Sequence, residues 1–136
     1  MLYSGFMQVA LDKASSFLTT IATPFGRYRY LRLPFGISSA PEVFHRIIAD
    51  YFSDIPGVYT YIDDLLVVGS TVEEHDSRLK QVLTRCRQIN LGLNAEKCRF
   101  GRTEIPYLGH VLSAKGIKPD PAKVEALNDL STINEG

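Results

Sequence analysis

A chain of 136 residues with 45% hydrophobic and 22% charged content has the size and balance of one globular domain with a single core, which excludes a disordered or low-complexity protein. No apolar stretch approaches the roughly 20 residues of a membrane span, and the start Met1-Leu2-Tyr3-Ser4-Gly5-Phe6 lacks the basic residues and apolar block of a signal peptide, so an intracellular protein with no membrane partner is expected. The 15 basic and 15 acidic residues cancel, and net charge therefore selects no partner.

In chain order, Phe6 to Leu11 and Phe17 to Ala22 read as strands, and Thr23-Pro24-Phe25-Gly26 as a turn that returns Arg27 to Leu33 in a hairpin. Ser39-Ala40-Pro41-Glu42 is a capping-box helix start, after which Val43, Phe44, Ile47, Ile48, Tyr51 and Phe52 share one helical face. That helix should end near Ser53, ahead of Pro56-Gly57. The apolar runs Val58 to Ile62 and Leu65 to Val68 predict a second hairpin, closed by Gly69-Ser70. Thr71-Val72-Glu73-Glu74 opens another capped helix with the stripe His75, Leu79, Val82, Cys86, Ile89, stopped at Asn90 to Gly92. A basic, strand-like stretch runs to Phe100, and Tyr107 to Ser113 turns at Ala114-Lys115-Gly116 into Ile117. Lys118-Pro119-Asp120-Pro121 breaks the chain before a short helix, Ala122 to Leu130. The two cysteines, Cys86 and Cys98, have no metal-site spacing and read as reduced, with Cys86 in the core.

Without the inserted hairpin the order is β, α, β-hairpin, α, β, which predicts an α+β fold of split βαβ (ferredoxin-like) form, an antiparallel sheet with two helices on one face. At the tip of its central hairpin stand two adjacent carboxylates, Asp63 and Asp64. At an effective dielectric near 20, two carboxylates about 4 Å apart repel by about 4 kcal/mol. Either the turn is a solvated tip, for which Asp is a common residue, or a divalent cation cancels the charge, as in a metal-dependent nucleotidyl transferase. Between Arg46 and Arg78 there are seven acids and no Lys or Arg, whereas basic residues precede and follow that block. A metal-binding floor between phosphate-gripping walls has this layout, and a solvated helix face accounts equally for Arg78, Lys80, Arg85 and Arg87.

Six ordered segments decide between these readings: Leu2-Tyr3-Ser4-Gly5-Phe6, Thr23-Pro24-Phe25-Gly26-Arg27-Tyr28, Leu33-Pro34-Phe35-Gly36-Ile37-Ser38-Ser39-Ala40-Pro41, Tyr61-Ile62-Asp63-Asp64, Leu93-Asn94-Ala95-Glu96-Lys97-Cys98-Arg99-Phe100 and Tyr107-Leu108-Gly109-His110. Together they resemble the reverse transcriptase of a gypsy-type LTR retrotransposon polyprotein, its palm with part of the fingers. The resemblance covers residues 2 to about 127. It implies residues 1–118 as palm and part of the fingers, and 119–136 as a truncated start of the connection to the thumb.

It further implies RNA-directed DNA polymerase activity with two Mg2+ ions, acting on an RNA or DNA template-primer and deoxynucleoside triphosphates. Asp63 would be a metal ligand and Asp64 its weaker neighbour. Phe6 would be the gate that excludes a ribose 2′ hydroxyl, and Leu33, Pro34, Phe35 and Gly36 would border the nucleotide. Lys97 would neutralise the leaving group, and Tyr107, Leu108, Gly109 and His110 would grip the primer. Read from the residues alone, these are a core aromatic, a helix-entry turn, a solvated lysine and an apolar hairpin. One departure stands out: the family's first catalytic Asp falls at Met1, and Asp12 lies beyond the strand and does not replace it. The chain is therefore expected to be inactive alone, as a piece of a polyprotein or as a non-catalytic relic that binds nucleic acid or protein.

Overall fold

Helix α2 (Ala40–Phe52) presents Ala40, Phe44, Ile48 and Phe52 as a buried stripe at a spacing of four, and this stripe is the centre of the core. The computed structural model describes Leu2 and residues 5–125. The expected face was wider: Val43 and Tyr51 are more than a third exposed, because a straight α-helix buries only the row that meets its neighbours. Pro41 and Glu42 occupy the first turn, but Ser39 is already helical in backbone and makes no side-chain cap bond.

The chain forms two compact units, residues 1–98 and 99–136. In the first, strands β3 (Val58–Tyr61) and β4 (Asp64–Val67) make an antiparallel hairpin in the register Val58↔Val67 to Tyr61↔Asp64. Helix α3 (Val72–Gln88) follows, and its Val82 and Cys86 join Phe44, Ile48 and Phe52 in one apolar cluster. Val58, Leu65 and Val67 pack against that cluster, so both helices cover one face of the hairpin. The architecture is α+β. The described strands form separate antiparallel sheets of two, two and three strands.

Both ends of α3 follow from its sequence. Thr71 accepts from the Glu74 N–H at 3.2 Å, while the Glu74 carboxylate accepts from the Ser70 N–H at 2.6 Å, one residue further back than an ordinary capping box. At the other end Asn90 takes the left-handed φ of 55°. The Leu91 N–H then bonds the Cys86 carbonyl and the Asn90 N–H the Arg87 carbonyl, a Schellman ending.

Four expected strand segments depart in whole or part from that form. Residues Gly5–Gln8 are a 3-10 turn, not part of a strand from Phe6 to Leu11. Phe6 and Val9 both pack on the core; residues three apart share a face in a 3-10 turn and oppose one another in a strand. Within the expected strand Phe17 to Ala22, residues up to Leu18 belong to helix α1 (Lys13–Leu18), and only Ile21–Thr23 are extended, as β1. Asp12 caps that helix by accepting the Ser15 N–H at 2.7 Å, and buried Ser16 donates to the Tyr30 carbonyl at 2.6 Å. These two polar anchors outweigh the strand preference of Phe17, which is left exposed together with Leu18. Strand β2 (Gly26–Tyr28) closes the expected hairpin with β1, but residues 31–33 leave it to bond residues 9–11. The basic stretch before Phe100 contains the 3-10 turn Ala95–Lys97, started by Asn94, whose side chain accepts the Glu96 N–H.

The second unit is a meander of β5 (Glu104–Tyr107), β6 (His110–Ser113) and β7 (Gly116–Pro119). Leu108 and Gly109 both have positive φ, as a two-residue type I′ hairpin requires. A helix runs through residues 121–125, starting one residue before the expected Ala122, and the rest of the Ala122 to Leu130 prediction lies outside the described residues.

Phe44 has no exposed surface, so Phe44→Ala leaves a cavity at the meeting point of α2, Gly5 and Phe6. We expect it to lower unfolding free energy by about 3–5 kcal/mol, measured by urea denaturation; a loss under about 1 kcal/mol would place the core elsewhere.

Candidate active site

The tip of the β3–β4 hairpin is the two-residue loop Ile62-Asp63, closed by the pair Tyr61↔Asp64. Ile62 has φ of +50°, a left-handed conformation that a β-branched side chain resists and that short hairpin loops demand. Two contacts hold this turn. The Ile62 N–H donates to Nδ1 of His45 on α2 at 3.3 Å, and the Asp63 carbonyl accepts the Leu2 N–H at 2.7 Å. The His45 ring also meets the Tyr61 ring edge-on at 6.3 Å. Asp63 and Asp64 are thus half-buried, on a loop fixed from a helix on one side and from an incoming backbone segment on the other.

Phe6 lies between two rings, Phe35 at 5.2 Å and Phe44 at 5.4 Å. It is accordingly core-packed, and the same contacts fix the direction of its ring. Its neighbour Gly5 is required by space: a Cβ there would stand 2.9 Å from the Phe44 ring. Of the Leu33 to Gly36 segment, Leu33 and Pro34 are buried while Phe35 and Gly36 are exposed. Gly36 has φ of +90°, which keeps a side chain off that backbone surface. Lys97 is exposed on its 3-10 turn. Tyr107, Leu108, Gly109 and His110 form the β5–β6 turn of the second unit, where the His110 ring nitrogen lies 3.1 Å from the Leu108 carbonyl. Met1 lies outside the described residues.

The basic residues flanking the acidic centre divide. Arg85 makes a two-pronged pair with Asp54 at 2.9 and 2.7 Å and also donates to the Tyr51 carbonyl. Arg78 pairs with Glu74 at 2.6 Å and donates to the Val68 carbonyl. Both tie α3 to the segments around the central hairpin, so these two are structural cations; Lys80 and Arg87 remain on the exposed face. His45 and Leu2 were missed as contributors to the site. A histidine on a helix carries no sign of a hydrogen bond made 17 residues downstream.

The comparisons decide the family. The model of the family "Reverse transcriptase (RNA-dependent DNA polymerase)" matches residues 2–112. The chain belongs to the reverse transcriptase family. It is 40% identical over 130 residues to the retrovirus-related Pol polyprotein from transposon 412 of Drosophila melanogaster, covering 94% of this chain and 10% of that protein. It is 32% identical to that of transposon gypsy from the same organism, covering 94% of this chain and 13% of that protein. The chain thus spans about a tenth of the length of these curated relatives. A foamy viral protease-reverse transcriptase shares the fold, with a TM-score of 0.85 at 24% identity over 93% of this chain and 22% of that one.

The ion pairs give the family scaffold a defined acid response. Arg85 beside Asp54 holds that carboxyl below its ordinary 3.8, the Ser15 N–H does the same for Asp12, and the Ser70 N–H, with Arg78, holds Glu74 below its ordinary 4.5. A depressed carboxylate binds fewer protons folded than unfolded, so its contribution is present above the unfolded value and lost as pH falls through the folded one. Stability should fall as pH drops below 4.5, and continue to fall below 3.8. Asp54→Asn should flatten the lower part of that decline in urea midpoints measured from pH 6 to pH 3; an unchanged profile would show the pair to be fully screened.

Proposed function

We propose that this chain carries the palm, with part of the fingers, of an RNA-directed DNA polymerase, with residues 1–118 in that role and 119–136 leading towards a thumb. The observation that carries the reading is the strained Ile62-Asp63 loop, which sets two adjacent carboxylates at the tip of a hairpin seated on the core. Strain of this kind persists where the surrounding structure over-determines it, and it clusters at active sites. Two carboxylates form a hard oxygen donor set that suits Mg2+. Among the described residues no group of three His, Cys, Asp or Glu side chains could hold a metal, so the pair fits a partial site.

Asp63 would hold Mg2+ with Asp64 as its weaker neighbour, and bound Mg2+ would supply Lewis acidity towards a primer hydroxyl and a triphosphate. The remaining roles belong to the chain's own groups. The Phe6 ring, fixed by Phe35 and Phe44, would exclude a 2′ hydroxyl. Leu33 and Pro34 would support Phe35 and Gly36 against the base and template, with the bare Gly36 backbone allowing close approach. Lys97 would offset leaving-group charge, and the turn Tyr107 to His110 would hold the primer end. RNA or DNA template-primer and deoxynucleoside triphosphates are the partners this implies. In support, foamy viral protease-reverse transcriptase has been solved with double-stranded DNA and with an RNA/DNA hybrid.

Residues 1–136 alone should not extend a primer, since the position of the family's first catalytic Asp is Met1. Extension lost on Asp63→Asn would overturn that expectation. A version with Asp at position 1 and family-type fingers and thumb should regain Mg2+-dependent synthesis. There Asp63→Asn should cost more than about a hundredfold, the most that loss of a ligand's supporting partner brings. In that enzyme Phe6→Ala should admit ribonucleotides, and undiminished discrimination would leave Phe6 with its core role only. A completed enzyme that folds, binds primer-template and makes no DNA would favour the non-catalytic binding module.

A further inference from the structure

We propose that His45 is the positioning residue of the aspartate turn: its Nδ1 takes the Ile62 N–H and so holds the left-handed backbone that orients Asp63 and Asp64. Its functional consequence rests on the metal-ligand reading of those two carboxylates. The turn geometry itself does not.

The first residue of a two-residue hairpin loop has no ladder partner for its N–H, because the pairing ends at Tyr61↔Asp64. Ile62 is half-buried, and a backbone N–H partly withdrawn from water is stabilised by an acceptor within the protein. Nδ1 of His45 is that acceptor at 3.3 Å. The helix delivers it rigidly, since the adjacent Phe44 has no exposed surface and the Tyr61 ring stands edge-on to the imidazole at 6.3 Å. Acceptance at Nδ1 requires the neutral ring with its proton on Nε2. Loss of this bond leaves an isoleucine at φ +50° with nothing from α2 opposing its return to an ordinary conformation. Because Asp63 and Asp64 follow directly, that return would re-aim both carboxylates.

Asn is the conservative replacement, as its Oδ1 stands at the same number of bonds from Cβ as Nδ1 of histidine, while Leu offers no acceptor. The test is NMR on the isotope-labelled full chain in three forms, wild type, His45→Asn and His45→Leu. We expect the wild-type ring nitrogens to report the Nε2–H tautomer at pH 8. In His45→Leu the Ile62 amide should exchange about fivefold faster, as loss of one net hydrogen bond implies, with the Phe44 and Val82 amides unchanged. His45→Asn should restore protection. Titration with Mg2+ alone should show binding at Asp63 and Asp64 weakened about fivefold by Leu and recovered by Asn.

An Nδ1–H tautomer in the wild type, or an Ile62 amide equally protected in the wild type and His45→Leu, overturns the proposal; the tautomer readout needs no variant to fold. If the wild-type Asp63 and Asp64 resonances ignore Mg2+, the metal reading fails and the functional consequence with it. The Ile62 exchange still decides the turn in that case.

Discussion

Two like charges on adjacent residues at the tip of an apolar hairpin are the constraint around which the first unit is organised. The strands beneath them gain stability from burial, whereas full burial without a counter-charge would be costly for the carboxylates. A two-residue loop satisfies both demands by turning the chain immediately after Tyr61, at the cost of a left-handed isoleucine. Contacts from sequence-distant segments oppose that local preference: the His45 ring from α2 and the Leu2 backbone from the start of the described chain. In the folded unit, distant segments thus support a turn that its own residues disfavour.

The core explains why those contacts are rigid. The row Phe44, Ile48, Phe52 faces Val82 and Cys86 on α3 and the inner side of the hairpin. Cys86 is a packing residue in this setting, its thiol pushed up by burial and so poorly suited to nucleophilic work. Arg78 and Arg85 reinforce the same joints from outside, each engaging both a carboxylate and a backbone carbonyl. Groups that grip the scaffold in this way are committed to it.

Phe6 connects the core to the second half of the site. Its ring bridges fully buried Phe44 and exposed Phe35, so the segment Leu33 to Gly36 is keyed to the helix that also carries His45. A change in the packing of α2 would therefore reach the aspartate turn and the segment Leu33 to Gly36 together. This common support is how a small unit can place chemically unlike groups without a large interface of its own.

The sequence by itself determined the family, the Asp63-Asp64 hairpin, the extents of α2 and α3, and the β6–β7 turn, because each rests on local signals: periodicity, caps, turn residues and ordered motifs. Tertiary structure alone decided where local signals conflict or are silent. Phe6 to Leu11 has the composition of a strand, yet the demand that Phe6 and Val9 reach one core made it a 3-10 turn. Phe17 favours a strand, yet the Asp12 cap and the Ser16 anchor to Tyr30 made its segment helical. Basic residues that read alike separated into structural pairs and exposed charges according to which carboxylates the fold brought near. The bond from Ile62 to His45 and that from Leu2 to Asp63 join positions far apart in the chain, and no spacing rule encodes them; only the packed core, by fixing the helix against the hairpin, brings these groups within hydrogen-bond reach.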